Sequence, residues 1–128
     1  MRLKLNPASP VPIYSQIFDQ VRCAIAAGAL KPEDELPSVR ALATEHLINP
    51  NTVARAYLEL EREGFVSKRR GAGTYISSQA TRLGEKEKAR IVGELLDQAL
   101  TQAAQLQMPA QQVRDLFEER FAEKEAKR

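Results

Sequence analysis

Small polar and basic side chains gather where two predicted helices begin. Asn49, Asn51 and Thr52 surround one of these starts, and Arg55 follows one turn later. Free backbone N–H groups and the helix dipole favour phosphate oxygens at a helix N-terminus. Amide and guanidinium groups on the first turns pair well with adenine and guanine edges in the major groove of DNA. The cluster therefore predicts phosphate contact at the helix start, with base reading by Asn51 and Arg55. Ordinary helix capping on a solvated face is the alternative interpretation.

A second polar group precedes this helix in the chain. Ser38 is a favourable N-cap for the preceding helix, and Arg40 lies in the first turn of that helix. We expect both residues to hold flanking phosphates, which fixes the register of a protein on DNA. An ion pair of Arg40 with Glu35 or Glu45 inside the fold is the alternative interpretation.

The densest basic group in the chain is Lys68-Arg69-Arg70, and glycines follow it directly. Two short β-prone runs, residues 65–68 and 74–77, lie on either side of Arg70-Gly71-Ala72-Gly73 and predict a hairpin whose first strand ends in this group. A basic hairpin suits the sugar-phosphate backbone or the minor groove, so we expect all three side chains to contact DNA. The alternative is a hairpin whose charges serve only solubility.

Hydrophobic spacing predicts the elements that position these residues. Apolar residues repeat at three and four positions over residues 13–28, 38–47 and 49–64, which indicates three helices. Asn49 as N-cap and Pro50 at the first helical position favour the start of the third helix. Three helices followed by a hairpin make a winged helix-turn-helix.

The C-terminal part of the chain predicts two further helices. Residues 77–84 are polar and are expected to form a linker. A long helix follows over residues 85–107, Met108-Pro109 interrupts it, and a last helix covers residues 110–124. Their apolar stripes need a partner, because the winged domain is already closed by its own helices.

A second copy of the chain is the simplest partner, since a two-fold interface is self-complementary and matches a palindromic DNA site. The expected fold is mainly α with a small β-hairpin. It comprises a winged helix-turn-helix DNA-binding domain over residues 1–79 and a two-helix dimerisation domain over residues 80–128. The predicted dimerisation residues are Ile91, Leu95, Leu96, Ala99, Leu100, Leu116, Phe117 and Phe121.

Composition and charge exclude other classes of protein. No apolar run approaches the roughly 20 residues of a membrane span, and no signal-peptide pattern opens the chain. The single cysteine, Cys23, suits a reducing compartment, so we expect the cytoplasm. We expect Cys23 to be partly exposed. Paired metal ligands, a phosphate-binding loop and a nucleophile beside a base are all lacking, so we expect no metal, no cofactor and no enzymatic activity.

Five motifs occur in a fixed order over residues 11–77. They are Pro12-Ile13-Tyr14-Ser15-Gln16-Ile17, Gly28-Ala29-Leu30-Lys31-Pro32, Leu36-Pro37-Ser38-Val39-Arg40, Asn49-Pro50-Asn51-Thr52-Val53 with Ala56-Tyr57, and Arg70-Gly71-Ala72-Gly73-Thr74-Tyr75. In this order they resemble the GntR family of bacterial transcription regulators. The asparagine-proline opening and the short C-terminal part resemble its YtrA subfamily.

The resemblance implies a homodimer that binds a palindromic operator and represses genes near its own, often genes for ABC transporters. The DNA contacts that it implies are Arg40, Asn51, Thr52, Arg55 and Gly71, together with Ser38 and Arg70. Other branches hold an effector in a larger C-terminal domain, whereas two helices leave little room for a pocket of about 300 Å³ or more. A small-molecule effector, as a further partner, would act by changing the spacing or rigidity of the two DNA-binding domains. A winged helix that binds another protein through its apolar tail is the alternative function.

Three positions depart from the family's pattern. Glu33 replaces a turn glycine, which a type I turn tolerates. Ala72 replaces a residue that is often basic, so Arg69 and Arg70 carry more of the contact. His46 replaces a leucine on the core-facing side of the second helix. We expect a neutral, packed His46 with one hydrogen bond, and a pH-sensing role is the alternative.

Overall fold

The computed structural model describes residues 2–127. Met1 and Arg128, the outermost residues of the two predicted domains, lie outside the described residues. The chain divides into two compact units, Met1–Lys88 and Ala89–Arg128. The described elements are α1 (Ile13–Ala26), α2 (Val39–His46), α3 (Pro50–Arg62), β1 (Val66–Arg69), β2 (Gly73–Ile76), α4 (Ala80–Gln105) and α5 (Ala110–Ala126).

The first unit is a winged helix-turn-helix, as predicted. On α1, Ile17, Val21 and Ile25 repeat every four residues, and all three are buried against the core. The strands β1 and β2 pair antiparallel from Val66 opposite Ile76 onward, and they form the wing. The mainly helical fold with a small hairpin is therefore confirmed.

The starts of α2 and α3 have the predicted caps. The Ser38 hydroxyl oxygen accepts a hydrogen bond from the Ala41 backbone N–H at 3.0 Å. The Asn49 side-chain oxygen accepts from the Asn51 backbone N–H at 2.8 Å, and Pro50 occupies the first helical turn. Between the helices, Leu47 adopts a left-handed conformation with φ of 56°, which redirects the chain from α2 into α3.

The turn that contains Glu33 differs from the prediction. Glu33 has φ of 78°, and the Asp34 N–H donates to the Lys31 carbonyl at 3.0 Å. A positive φ at the third position of a turn defines type II, where glycine is the favoured residue. The prediction of a type I turn is therefore wrong. The Asp34 carboxylate also accepts from the Lys31 N–H at 2.9 Å, which stabilises the turn.

The segment predicted as a linker, residues 77–84, is helical from Ala80 onward. Ala80 and Gly84 lie one turn apart and are both buried. A Cβ atom on Gly84 would lie 3.1 Å from the Ala26 Cα, so the missing side chain allows α4 to approach the end of α1 closely. The predicted start at Glu85 is wrong, because the buried residues of this turn are small and add little apolar character.

His46 also differs from the prediction. Its ring is only partly buried at the end of α2, and its buried Nε2 atom has no hydrogen-bond partner among the described residues. The expected single hydrogen bond is therefore wrong, because no described polar group hydrogen-bonds with this ring at the last residue of α2. Cys23 is exposed on α1, as predicted.

The second unit consists of the rest of α4 and α5, and no described residue in it is fully buried. Eight of its large apolar side chains are 38–66% exposed, and the rings of Phe117 and Phe121 stack at 6.0 Å. An open groove of about 460 Å³ runs between the helices. The residues that line it include Leu96, Ala99, Leu100, Val113, Leu116 and Phe117.

No described helix has the length and apolarity of a membrane span.

Candidate nucleic-acid interface

Tyr57 links the start of α2 to the body of α3. Its side chain is only 2% exposed, and its hydroxyl donates a hydrogen bond of 2.7 Å to the Pro37 carbonyl. Pro37 directly precedes Ser38, the N-cap of α2. Burial raises the pKa of the Tyr57 hydroxyl well above its ordinary value, so the group stays protonated and remains a donor. This bond therefore holds the loop before α2 against α3.

The helix α3 has one buried and one exposed face. Val53, Ala56 and Leu60 are completely buried, whereas Asn51 and Arg55 are exposed. Helical spacing places the last two on one side of the helix, one turn apart. Two side chains with the chemistry for base edges therefore lie together on the surface.

Three further polar residues lie at the two helix starts. Thr52 is partly exposed on the first turn of α3. Asn49 uses its side-chain oxygen in the cap, which leaves its amide N–H groups as donors. Arg40 is exposed on α2, and it forms no ion pair with Glu35, Glu45 or any other described residue. The alternative interpretation of Arg40 as an internal ion-pair partner is therefore wrong.

The basic residues of the wing differ in whether they form an ion pair within the fold. Lys68 and Arg70 are exposed and have no ion-pair partner within residues 2–127. The Arg69 guanidinium pairs with the Glu33 carboxylate and also lies over the ring of Tyr75, 4.1 Å from its centroid. Glu33 was not among the expected site residues, because this pairing joins segments far apart in the chain.

The tip of the wing includes two small residues, Gly71 and Ala72. Gly71 has φ of 73° and is exposed, and a Cβ atom added there would meet no atom within 4 Å. The Tyr75 hydroxyl donates to the Ala72 carbonyl at 3.0 Å, which closes the tip. Along β2, the Leu36 N–H donates to the Thr74 carbonyl at 2.9 Å. The hairpin is thereby joined to the loop that leads into α2.

Tyr14 is a second residue that the sequence did not place at the site. It lies at the start of α1, and the Arg55 guanidinium carbon is 3.7 Å from the centroid of its ring. Tyr14 belongs to the first motif of the resemblance, but helical spacing alone predicts a core residue. Its stacking depends on the crossing of α1 and α3, which no local pattern encodes.

Three features define the class of protein to which this chain belongs. They are an exposed helix N-terminus with amide and guanidinium groups, a second capped helix before it, and a basic hairpin. They are the parts of a winged helix-turn-helix DNA-binding protein. Within this class, the model of the family "Bacterial regulatory proteins, gntR family" matches residues 13–76. The chain belongs to the GntR family.

Similarity to individual proteins indicates the subfamily within the GntR family. The chain is 46% identical over 101 residues to the HTH-type transcriptional repressor YtrA of Bacillus subtilis (strain 168), which is 79% of this chain and 78% of that protein. A transcriptional regulator from Oenococcus oeni has a similar structure, with a TM-score of 0.81, 27% identity and coverage of 91% of this chain and 97% of that chain.

A GntR-family transcription factor, YtrA from Sulfolobus acidocaldarius, is also similar in structure. It has a TM-score of 0.59 and 35% identity, and the match covers 77% of this chain and 97% of that chain. The resemblance to the GntR family and its YtrA subfamily is therefore confirmed, and the chain is a DNA-binding transcriptional regulator of this type.

The variant Tyr57→Phe tests the link between α2 and α3. The variant lacks the hydroxyl that donates to the Pro37 carbonyl. We therefore expect the free energy of unfolding to fall by about 1 kcal/mol at pH 7. The folded chain holds the hydroxyl proton more tightly than the unfolded chain. The unsubstituted protein therefore loses stability above about pH 10, by at most about 1.4 kcal/mol per pH unit from this group.

Urea unfolding of both proteins between pH 7 and pH 11 measures the difference. The variant lacks this pH-dependent contribution, so the two stability curves should converge at high pH. A constant gap between the curves would show that burial does not hold the proton on Tyr57.

Proposed function

We propose that the chain is a homodimeric, cytoplasmic transcriptional repressor that binds a palindromic operator and controls a nearby operon. The observation that carries the proposal is the exposed N-terminal face of α3, where Asn51 and Arg55 lie one turn apart above a buried stripe. Membership of the GntR family and similarity to a protein named as a repressor support the direction of control.

In this proposal α3 is the recognition helix and enters the major groove. Asn51 pairs with an adenine edge and Arg55 with a guanine edge, because these are the bases whose hydrogen-bonding groups match amide and guanidinium side chains. Asn49 and Thr52 contact phosphates at the start of the same helix, where backbone N–H groups and the helix dipole attract anions. Specificity then comes from two residues per half-site.

The remaining contacts fix the register on the DNA. Ser38 and Arg40 bind a flanking phosphate at the start of α2. Lys68, Arg70 and Gly71 bring the wing to the backbone or the minor groove, where the bare Gly71 allows close approach. We assign Arg69 a weaker contact, because its charge is already balanced by Glu33.

The second unit supports the two-fold assembly. A helical hairpin without a buried residue is not stabilised by its own core, and its exposed apolar side chains favour association. A second copy presents the same surface, so the contact is self-complementary and places two winged domains on a symmetric DNA site. The proposed interface contains Ile91, Leu95, Leu96, Ala99, Leu100, Leu116, Phe117 and Phe121.

Base reading and phosphate binding are separable by substitution. Asn51→Ala leaves the cap intact, because Asn51 contributes only its backbone N–H to that bond. We expect the variant to lose preference at one base position in each half-site. Arg70→Ala should weaken binding to all sequences equally and lower the salt slope by about 0.9 for each half-site.

Fluorescence anisotropy with single-base operator variants, over a series of salt concentrations, measures both effects. Arg62→Ala is the matched control, since it removes a cation from the opposite end of α3. If Asn51→Ala keeps the full base preference, α3 is not the reading helix. Equal binding of all DNA sequences by the unsubstituted protein would favour a protein-interaction module instead.

The variant Phe117→Glu tests the proposed dimer. A charge on this apolar face has no partner in a symmetric contact, so we expect the dimer dissociation constant to rise by about 30-fold or more. Ala122→Glu adds the same charge on the opposite side of α5 and should leave the dimer unchanged. Sedimentation velocity measures both. A monomeric unsubstituted protein, or equal behaviour of the two variants, would contradict the proposal.

A further inference from the structure

We infer that Tyr14 is a positioning residue that determines specificity, because its ring holds the Arg55 guanidinium in an orientation suited to a base edge. The inference rests on the proposed function in one respect, namely that Arg55 reads a base. It adds a residue outside the recognition helix to the machinery of readout. The evidence is the stacking of a half-buried ring on an exposed cation.

The geometry leaves the hydrogen-bonding edge of Arg55 available. The guanidinium carbon is 3.7 Å from the Tyr14 ring centroid, a distance at which the ring covers one face of the planar group. The N–H donors of a guanidinium lie in its plane and point away from a ring that covers a face. Tyr14 therefore restricts the side chain without occupying its donors.

Comparison with the other stacked arginines in residues 2–127 distinguishes this pair. Arg22 lies 4.7 Å from the Phe18 centroid, and its guanidinium also pairs with carboxylates, including that of Asp19 at 3.0 Å. Arg69 over Tyr75 is likewise paired with a carboxylate. In both of these stacks the cation already has an anionic partner within the fold.

Arg55 differs because no described carboxylate pairs with it. A stacked arginine with unused donors, on the outer face of a helix, is preorganised for an external planar partner. Two parallel hydrogen bonds to guanine O6 and N7 need the fork held in one plane. Preorganisation reduces the side-chain freedom that is lost on binding, and only the matching base gains from it.

The hydroxyl of Tyr14 has no hydrogen bond to a described residue, so the ring itself carries the interaction. This distinction makes the aromatic variant informative. Tyr14→Phe keeps a ring over Arg55, whereas Tyr14→Leu removes the π face. A merely structural role would be sensitive to lost packing but would not change which base is preferred.

The test is a double-mutant cycle with the full chain on its selected operator and on operators with one base pair changed. Arg55→Ala first identifies the base pair that Arg55 reads. We expect Tyr14→Leu to reduce discrimination at that same base pair about threefold to fivefold, with unchanged affinity for unrelated DNA. Tyr14→Phe should keep discrimination, and Tyr14→Leu should have no further effect in the Arg55→Ala protein.

Phe18→Leu is the matched control, because it removes the ring beneath Arg22 and should leave discrimination unchanged. Circular dichroism verifies the fold, and Tyr14→Met replaces Tyr14→Leu if the latter unfolds. If Arg55→Ala leaves every base preference intact, the proposed role of Arg55 fails. If it relaxes one preference and Tyr14→Leu does not, or if Tyr14→Phe is equally defective, the inference about Tyr14 is overturned.

Discussion

The interface depends on the burial of one face of α3. Val53, Ala56 and Leu60 are completely enclosed by the first unit, so the helix cannot rotate without exposing them. Rotation is therefore fixed, and Asn51 and Arg55 must point outward. The same packing brings Tyr14 of α1 beneath Arg55. A hydrophobic constraint thus sets the orientation of the polar residues that we propose for readout.

Three polar links extend this constraint to the other parts of the surface. The Tyr57 hydroxyl ties α3 to the residue before the α2 cap, and the loop that follows Glu33 pairs with β2. The pair of Glu33 and Arg69 joins this loop to the wing. The left-handed conformation of Glu33 is a local cost, and the ion pair gives a reason for a charged side chain at a position that favours glycine.

Local chemistry explains what the sequence predicted well. The caps at Ser38 and Asn49 follow from side-chain oxygens beside free N–H groups, which needs no knowledge of the rest of the chain. Contacts between distant segments were missed, as with Arg69 and Glu33 or Arg55 and Tyr14. The helical turn at Ala80 was also missed, because small buried residues do not form a strong hydrophobic pattern.

In the proposed assembly, two copies of this α3 face read a symmetric site. Sequencing of DNA that the purified full chain selects from a random library tests this arrangement. We expect an inverted repeat whose half-site centres are separated by one helical turn, about 10 base pairs, or by a multiple of it. Selection of a single unrepeated site, or no enrichment of any sequence, would rule out two-fold reading by α3.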